Sequence, residues 1–339
     1  MAVDVVRRPD ASERGPRSSR RAAIWVAFGL TAVAVALRLT NPGQVGWIRN
    51  VSIVFGSLLV EAMPFIVLGA SVSAAIEVLV PSSAFARIGR LPRGLQLPAA
   101  AAAGMAFPVC ECGSVPVARR LAAKGLAPGA AVTFMLAAPI VNPVVIASTY
   151  VAYRGRSTVA VMVLGRLALG FIVAMAVGWV VSSLRADQLL KRRDGDSDAL
   201  EVGSGDARWR RFFDHLAGDI VFMAKFLILG AAIAAAVQTF VPQSILNGLA
   251  SLPVVSLLAM MALAFIMSLC SESDAFVAAS FTAFGPAAQL AFLVFGPMVD
   301  LKLGALYMGT YERGFFRTVV IAVGATTLAA TLWIEVFVG

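Results

Sequence analysis

The sequence predicts an all-α, polytopic membrane protein, and three observations lead to this fold class. First, 59% of the 339 residues are apolar and only 14% are charged, whereas a soluble domain carries roughly 25% charged residues. Second, the apolar residues form runs of about 20, the length at which a helix crosses ~30 Å of hydrocarbon. Third, the two halves of the chain resemble one another, as they do in transporters built from internal repeats.

The apolar runs define the order of elements along the chain. They lie at residues 22–37, 51–80, 128–152, 158–184 and 317–339. Residues 1–21, which precede the first run, are rich in arginine, and we expect them to form a cytoplasmic tail. A basic start followed by an apolar stretch resembles a secretory signal, but further spans follow it. We therefore interpret residues 22–39 as an uncleaved first transmembrane helix.

The net charge of +9 is concentrated beside the spans, in the tail and in a polar segment at residues 185–213. Clusters of this kind follow from the positive-inside rule, so we interpret them as topology signals and expect no nucleic-acid partner. The segment at 185–213 is then a solvated cytoplasmic linker. It divides the rest of the chain into two permease repeats, residues 51–184 and 214–339.

The two repeats can be aligned directly. Residues 65–81 match residues 226–242 without gaps, and eight of the 17 positions are identical. Further along the chain, Cys110 falls opposite Cys270 and the segment 139–142 falls opposite the segment 297–300. Apolar composition alone does not explain the shared cysteine and proline positions, so we interpret the halves as an internal duplication.

Topology follows from the basic residues and from a broken segment in each half. Residues 97–124 contain Pro108, Gly113 and Pro116 and end in basic residues, which is typical of a re-entrant hairpin that returns to the cytoplasmic side. Each repeat then has three crossings and one re-entrant or broken hairpin, and an odd number of crossings makes the repeats inverted. This scheme leaves Arg154 and Arg156 outside; the alternative is that both arms of each hairpin cross fully.

Two polar, irregular segments at membrane depth are the candidate site. The first is residues 107–116, with two prolines and a glycine, and the second is residues 268–274 in the matching part of the other repeat. Lipid cannot satisfy the backbone groups freed at such breaks, so they must be packed in protein or line a cavity. Inverted-repeat transporters bind substrate at breaks of this kind. We therefore expect the two segments to meet in a central site.

All three cysteines lie on these segments, at Cys110, Cys112 and Cys270. Thiolates are soft ligands suited to zinc, copper(I) and other thiophilic species, although the sequence does not specify a metal. The plain alternative is that cysteine packs as a small apolar residue. Thiol–disulfide catalysis is a weaker alternative, because the spacing is Cys-x-Cys rather than the usual redox Cys-x-x-Cys.

Ionisable residues complete the candidate site. A carboxyl group at membrane depth can carry a proton across the bilayer, which makes Glu111, Glu272 and Asp274 candidates for proton coupling. The alternative is a set of internal ion pairs with residues such as Arg166 and Lys302. The candidate substrate-binding residues are Cys110, Glu111, Cys112, Gly113, Asn142, Cys270, Glu272, Asp274 and Asp300. Of these, Asn142 and Asp300 are expected to supply oxygen ligands or to hold the hairpins, and His215 is expected at the membrane interface instead.

Several catalytic motifs are missing from the sequence. There is no Gly-rich phosphate loop with Lys-Ser or Lys-Thr, so the chain does not encode ATP hydrolysis. A His-Glu-x-x-His motif and a Gly-x-Ser-x-Gly turn are also missing. We therefore expect no enzyme activity and no cofactor; the expected partners are a small-molecule or metalloid solute and the lipid bilayer.

The sequence also resembles a known family at residues 107–128 and 137–143, with residues 270–274 as a second landmark. It is similar to the bacterial predicted permeases that include the ArsP-type organoarsenical efflux proteins. The resemblance implies a multi-spanning permease of the inner membrane. For the best-known branch it implies export of trivalent organoarsenicals through thiols, which here would be Cys110, Cys112 and Cys270.

Together these features predict a secondary transporter that exports a small thiophilic solute, such as a trivalent organoarsenical, by alternating access with protons as the candidate coupling ion. Two other classes stay open: a membrane-embedded thiol redox or metal-handling protein, and a channel. The sequence leaves the solute, the coupling ion, the direction of transport and the oligomeric state open.

Overall fold

The computed structural model describes residues 46–79, 92–105, 109–183, 205–240 and 253–338. The predicted tail at 1–21, the predicted first transmembrane helix at 22–39 and most of the predicted linker lie outside these ranges.

The described residues form twelve α-helices, six in each half of the chain. They are α1 (Gly46–Leu79), α2 (Arg93–Ala103), α3 (Glu111–Ala123), α4 (Pro128–Val141), α5 (Pro143–Tyr153), α6 (Val159–Val181), α7 (Gly205–Phe240), α8 (Pro253–Met267), α9 (Asp274–Ser280), α10 (Pro286–Phe295), α11 (Leu301–Thr310) and α12 (Arg313–Val338).

Five apolar segments among the described residues are long enough to cross a membrane. They are Gly46–Leu79, Pro128–Tyr153, Val159–Val181, Trp209–Thr239 and Gly314–Val336. The second of them comprises α4 and α5, which are interrupted at Asn142. The prediction of an all-α, multi-pass membrane protein is thus confirmed for this part of the chain.

The remaining helices are shorter and occur in corresponding places of the two halves. Helices α2 and α3 are separated by the first broken segment, and α8 and α9 by the second. Helices α10 and α11 are separated by residues 296–300, as α4 and α5 are separated by Asn142. Whether the arms of each hairpin re-enter or cross fully stays a prediction.

The predicted linker needs one correction, because α7 already begins at Gly205. Residues 205–213 are therefore helical rather than a solvated loop. The rings of Trp209, Phe212 and Phe213 contact one another at centroid distances of 5.4–6.2 Å. Charged residues are solvated on a helix surface as readily as in a loop, so the polar composition of the segment did not reveal its backbone structure.

Helix packing in one half recurs in the other. Helices α2, α4 and α6 contact one another, and so do their counterparts α8, α10 and α12. Between the halves, α6 packs on α12, α3 packs on α11, and α5 packs on α9, which is the counterpart of the α3–α11 contact. The duplication inferred from the sequence is therefore matched by a repeated packing pattern. The inverted relation of the repeats stays a prediction.

Two glycines that match in the repeat alignment, Gly69 on α1 and Gly230 on α7, allow close helix contacts. A methyl group added at Gly69 would collide with the backbone of Gly113 on α3, and one at Gly230 would collide with the Cα atom of Lys302 on α11. Small residues let backbones approach closely at helix contacts in membranes. Equivalent glycines thus bring α1 and α7 against α3 and α11, the helices on which Glu111 and Lys302 lie.

Candidate functional site

Within the first broken segment, Cys110 is the N-cap residue of α3. Glu111 follows in the first turn of that helix, where the helix dipole favours a negative charge. The hydroxyl of Ser114 lies 3.0 Å from the carbonyl oxygens of both Glu111 and Met135. Protein groups therefore fix the start of α3. Phe107 and Pro108 lie outside the described residues.

The second broken segment begins where α8 ends, at Met267. The next residue, Ser268, has φ +48°, a left-handed conformation that is uncommon for a residue other than glycine. The Gln238 side chain donates to the Met267 carbonyl oxygen at 2.7 Å. The Ser268 hydroxyl accepts a bond from the Lys302 backbone N–H at 3.3 Å. Protein side chains thus bond the Met267 carbonyl oxygen and the Lys302 N–H near this break, where lipid offers no water to do so.

The two broken segments meet at the carboxylate of Glu111. The hydroxyl and the backbone N–H of Ser271 point to its Oε2 atom at 3.3 and 3.5 Å. Its Oε1 atom lies 3.4 Å from Nζ of Lys302. The side chains of Glu111 and Lys302 are 1% and 0% exposed, so this junction is fully buried.

Lys302 connects both halves of the chain. Besides Glu111 in the first half, its ammonium group lies 3.7 Å from Sγ of Cys270 and 3.9 Å from Oδ2 of Asp300 in the second half. A ligand atom from each of Glu111, Cys270 and Glu272 lies within 4.8 Å of the other two. The junction therefore combines three carboxyl groups, a thiol and an ammonium group.

A second buried ion pair lies beside this junction. Nη2 of Arg166 on α6 is 2.8 Å from Oδ2 of Asp274 on α9. The same guanidinium donates to the Thr149 hydroxyl at 2.9 Å and to the Ser271 carbonyl oxygen at 3.1 Å. We call Glu111–Lys302 and Arg166–Asp274 the central pairs. Each joins the first half to the second, as intramembrane charges that face the protein interior commonly do.

The predicted thiol residues Cys110, Cys112 and Cys270 are all buried and free. Cys110 is the N-cap residue of α3 and Cys112 lies in its first turn. Of the three, Cys270 contacts the ammonium group of Lys302.

Three other predicted site residues have structural contacts. Gly113 packs against Gly69. Asn142 caps α5, because its side chain accepts from the Val144 N–H at 2.9 Å. Asp300 caps α11 in the same way, through the Leu303 N–H at 2.7 Å, and also lies beside Lys302. Gly113 therefore serves helix packing and Asn142 serves helix capping. Asp300 both caps α11 and belongs to the charged junction.

Sequence reasoning left several contributors out of the site. Lys302 and Arg166 were considered only as ion-pair partners of the carboxyl groups. What pointed to them in the sequence was a charged residue at membrane depth. Ser271 bridges the two halves, and Ser273 donates to Glu61 on α1 at 2.7 Å. Serine is common at helix contacts in membranes, so neither serine carried a distinctive signal.

A second group of charges lies at the far end of α3 and is called the Arg120 cluster here. Arg120 lies 3.2 Å from a Glu77 oxygen on α1 and 3.4 Å from an Asp219 oxygen on α7. It also donates to Nδ1 of His215 at 3.2 Å. Asp219 accepts a bond from the Ser73 hydroxyl at 2.9 Å. Arg120 and Glu77 are 11% and 14% exposed, so this cluster is less buried than the central pairs.

A small cavity lies between α3, α7 and α11. Its lining includes Val115 and Leu306, and also Arg120 and Asp219 of the Arg120 cluster. Val115 follows Glu111 by four residues and Leu306 follows Lys302 by four, so each shares a helix face with a member of a central pair. The cavity therefore follows the helix faces that join the junction to the Arg120 cluster.

Comparisons with known proteins agree with the resemblance seen in the sequence. The chain is 39% identical over 284 residues to the UPF0718 protein YcgR of Bacillus subtilis, covering 83% of this chain and 96% of that protein. It is 34% identical over 271 residues to a putative two-component membrane permease complex subunit of Streptococcus mutans, covering 77% and 87%. No solved structure matches. The family model ArsP_1, described as a predicted permease, matches residues 48–336. The chain belongs to this family of predicted permeases.

Proposed function

We propose that this permease is a secondary transporter that binds a small thiophilic solute where the two broken segments meet. The observation that carries the proposal is the junction at Glu111, where Ser271 and Lys302 of the other half contact one buried carboxylate. A buried ion pair adds little stability relative to well-packed apolar residues. Ionisable groups in membrane proteins are concentrated on solute and ion pathways instead.

The proposed architecture is an inverted repeat with three crossings and one re-entrant hairpin in each half, after a first transmembrane helix. The reciprocal contacts α3–α11 and α5–α9 support it, because each hairpin arm packs on the broken crossing of the opposite half. In alternating access one half would rock against the other around the junction. The proposed location is the bacterial inner membrane, with the N-terminus in the cytoplasm.

The Arg120 cluster is assigned to the cytoplasmic end of the pathway, since the positive-inside rule favours basic residues there. Arg120 connects α3 to α1 and α7, so these contacts must break for the cavity to open at that end. The structure described here then corresponds to a state closed toward the cytoplasm. Outward opening would expose the junction on the other side and release the solute, as export requires.

Among the proton-coupling candidates, Glu272 fits best. Glu111 and Asp274 are each paired with a cation. Glu272 contacts the Ser271 hydroxyl at 3.3 Å, and its Oε1 atom has no hydrogen-bond partner among the described residues. A carboxyl group without a paired cation can take up and release a proton without breaking an ion pair.

A trivalent organoarsenical is the proposed probe solute, because the family resemblance points to it and arsenic(III) prefers thiolate ligands. Cys110 and Cys112 would supply neighbouring thiols from one half and Cys270 a thiol from the other. Binding that draws on both halves is what couples solute occupancy to their relative motion.

The proposal is tested by uptake of a trivalent methylarsenical into inside-out membrane vesicles from cells expressing the protein. Wild type should show saturable uptake, and Glu111→Gln and Cys270→Ser should abolish most of it. Glu312→Gln is the matched control, because Glu312 is exposed and distant in sequence from both broken segments.

Other outcomes would contradict the proposal in different ways. Uptake that does not saturate and ignores a proton gradient would indicate a channel. Reversible formation of a Cys110–Cys112 disulfide without solute flux would favour a thiol redox protein, which the neighbouring positions of these thiols make the second candidate. Equal uptake by wild type and both site variants would remove the junction from the transport pathway.

A further inference from the structure

The junction contains a compact set of metal-ligand atoms from both halves. One ligand atom from each of Glu111, Cys270 and Glu272 lies within 4.8 Å of the other two. Glu111 and Cys270 are each 1% exposed. A thiolate combined with carboxylate oxygens suits borderline-soft divalent ions such as Zn²⁺. The set differs from the three cysteines that the sequence suggested, because it uses one thiol and two carboxylates.

A cation already contacts two of these three groups. The Lys302 ammonium lies 3.4 Å from Glu111 and 3.7 Å from Cys270. The ammonium group therefore lies where a metal ion bound by Glu111 and Cys270 would lie. The ammonium group also has a second partner, because Asp300, the N-cap residue of the helix that carries Lys302, lies 3.9 Å away. Lys302 can move toward Asp300 when Glu111 binds another cation.

Formal charge at the junction also favours a divalent ion. Four carboxyl groups, those of Glu111, Glu272, Asp274 and Asp300, lie at or beside the junction together with two cations, Lys302 and Arg166. With these carboxyl groups ionised, the junction has an excess of two negative charges. Buried charges without partners are costly, and a divalent cation offsets this excess. The Oε1 atom of Glu272 is buried and has no hydrogen-bond partner within the described ranges.

We propose that the junction binds a divalent transition-metal ion of the zinc class through Glu111, Cys270 and Glu272, while Lys302 moves to Asp300. This inference rests on the proposed function, because it names the solute class of the same site. On binding, the Cys270 thiol releases its proton to water and the sulfur bonds to the metal, with no change in oxidation state.

Three protein ligands suit a site that must also release its ion. Structural zinc sites are closed by four protein ligands, whereas three leave a position open for water or exchange. The ligands come from both halves: Glu111 lies on α3, while Cys270 and Glu272 lie on the second broken segment. Separation of the halves would therefore dismantle the site and release the ion.

The first experiment is titration of the purified full chain in lipid nanodiscs with Zn²⁺, using a competing chromophoric chelator, and with Cd²⁺, whose thiolate complexes absorb in the ultraviolet. Wild type should bind about one ion per chain and show the Cd²⁺–thiolate band. Cys270→Ser should abolish the band, and Glu272→Gln should weaken Zn²⁺ binding at least about tenfold. Glu312→Gln, a change in an exposed carboxylate, should bind as wild type does.

The second experiment tests the role of Lys302. The double variant Lys302→Met/Asp300→Asn removes one positive and one negative charge, so net charge is kept while the competing cation is lost. Zn²⁺ should bind at least about tenfold tighter, because a nearby like charge is removed from a buried site. Unchanged or weaker binding by a folded double variant would overturn the exchange between Lys302 and the metal.

A measurement on the wild-type chain avoids dependence on variants that fail to fold. Zn²⁺ should protect Cys270 from alkylation more than Cys110, as read by mass spectrometry of the digested protein. Absence of saturable Zn²⁺ binding, or equal protection of both cysteines, would overturn the metal site. Saturable uptake of the organoarsenical without Zn²⁺ binding would remove this inference alone, whereas absence of flux for either solute would contradict the proposed function itself.

Discussion

The central pairs and the Arg120 cluster make the same kind of contact in different surroundings. Each central pair joins the first half of the chain to the second, at 2.8 and 3.4 Å. The Arg120 cluster does so through Arg120 and Asp219 at 3.4 Å, whereas its other pair, Arg120–Glu77, lies within the first half. The side chains of the central pairs are at most 3% exposed, whereas Arg120 and Glu77 are 11% and 14% exposed. Depth decides what such contacts can do: a buried pair is costly to break, whereas a pair that water can reach is cheap to open. In the proposed mechanism the central pairs therefore belong to the solute site and the Arg120 cluster to the gate.

The largest effect is expected when one member of a central pair is removed. Arg166→Met leaves the Asp274 carboxylate buried without its cation, and we expect the free energy of unfolding to fall by about 3–5 kcal/mol. The measurement is unfolding by SDS in detergent micelles. The double variant Arg166→Met/Asp274→Asn should recover most of the loss, because no charge is left unpaired. A loss below about 1 kcal/mol in the single variant would mean that water reaches the pair.

An intermediate effect on stability is expected at the close contact between Gly69 on α1 and Gly113 on α3. Gly69→Ala places a methyl group against the backbone of Gly113, and overpacking of this kind costs about 1–3 kcal/mol. Gly56→Ala on the same helix is the matched control, since a methyl group there meets nothing within 4 Å. The same unfolding assay compares them. Equal stability of the two variants would show that α1 and α3 do not need this close approach.

The smallest effect on stability is expected at the Arg120 cluster. Arg120→Ala should lower the free energy of unfolding by about 1 kcal/mol, because water partly reaches Arg120 and Glu77 (11% and 14% exposed) and the Ser73 hydroxyl still donates to Asp219. It should nevertheless increase the rate at which a membrane-impermeant maleimide labels Cys112 in inside-out vesicles, because the cytoplasmic end opens more often. Arg317→Ala, at an exposed arginine, is the control. Faster labelling only from the opposite side of the membrane would contradict the assigned orientation.

Much of the fold could be predicted from the sequence because lipid imposes strong rules on it. Long apolar runs mark α1 and α6, and the matched glycines at Gly69 and Gly230 mark the points where α1 approaches α3 and α7 approaches α11. Breaks near Cys110 and Ser268 were visible because proline, glycine and polar residues interrupt apolar runs. The composition of residues 205–213 predicted a loop, whereas this charged segment is the helical start of α7.

The chemistry of the site was harder to predict, because ion-pair partners depend on how the halves approach each other. Asp300 and Lys302 are close in sequence, yet the nearest carboxylate to the Lys302 ammonium is that of Glu111 in the other half. Asn142 lies between prolines, where an amide can be a ligand or a cap, and only the backbone geometry shows a cap. Ser271 carries no sequence signal strong enough to reveal that it bridges the halves.

The caps at Asn142 and Asp300 have a consequence for how two copies of one ancestral unit could diverge. Asparagine and aspartate cap helices about equally well, so exchanging one for the other keeps the helix start intact while altering local charge. In this chain the amide occurs in the first copy and the carboxylate, beside Lys302, in the second. A scaffold of two matching halves can thus gain an electrically distinct side through one conservative replacement, with the start of each helix kept intact.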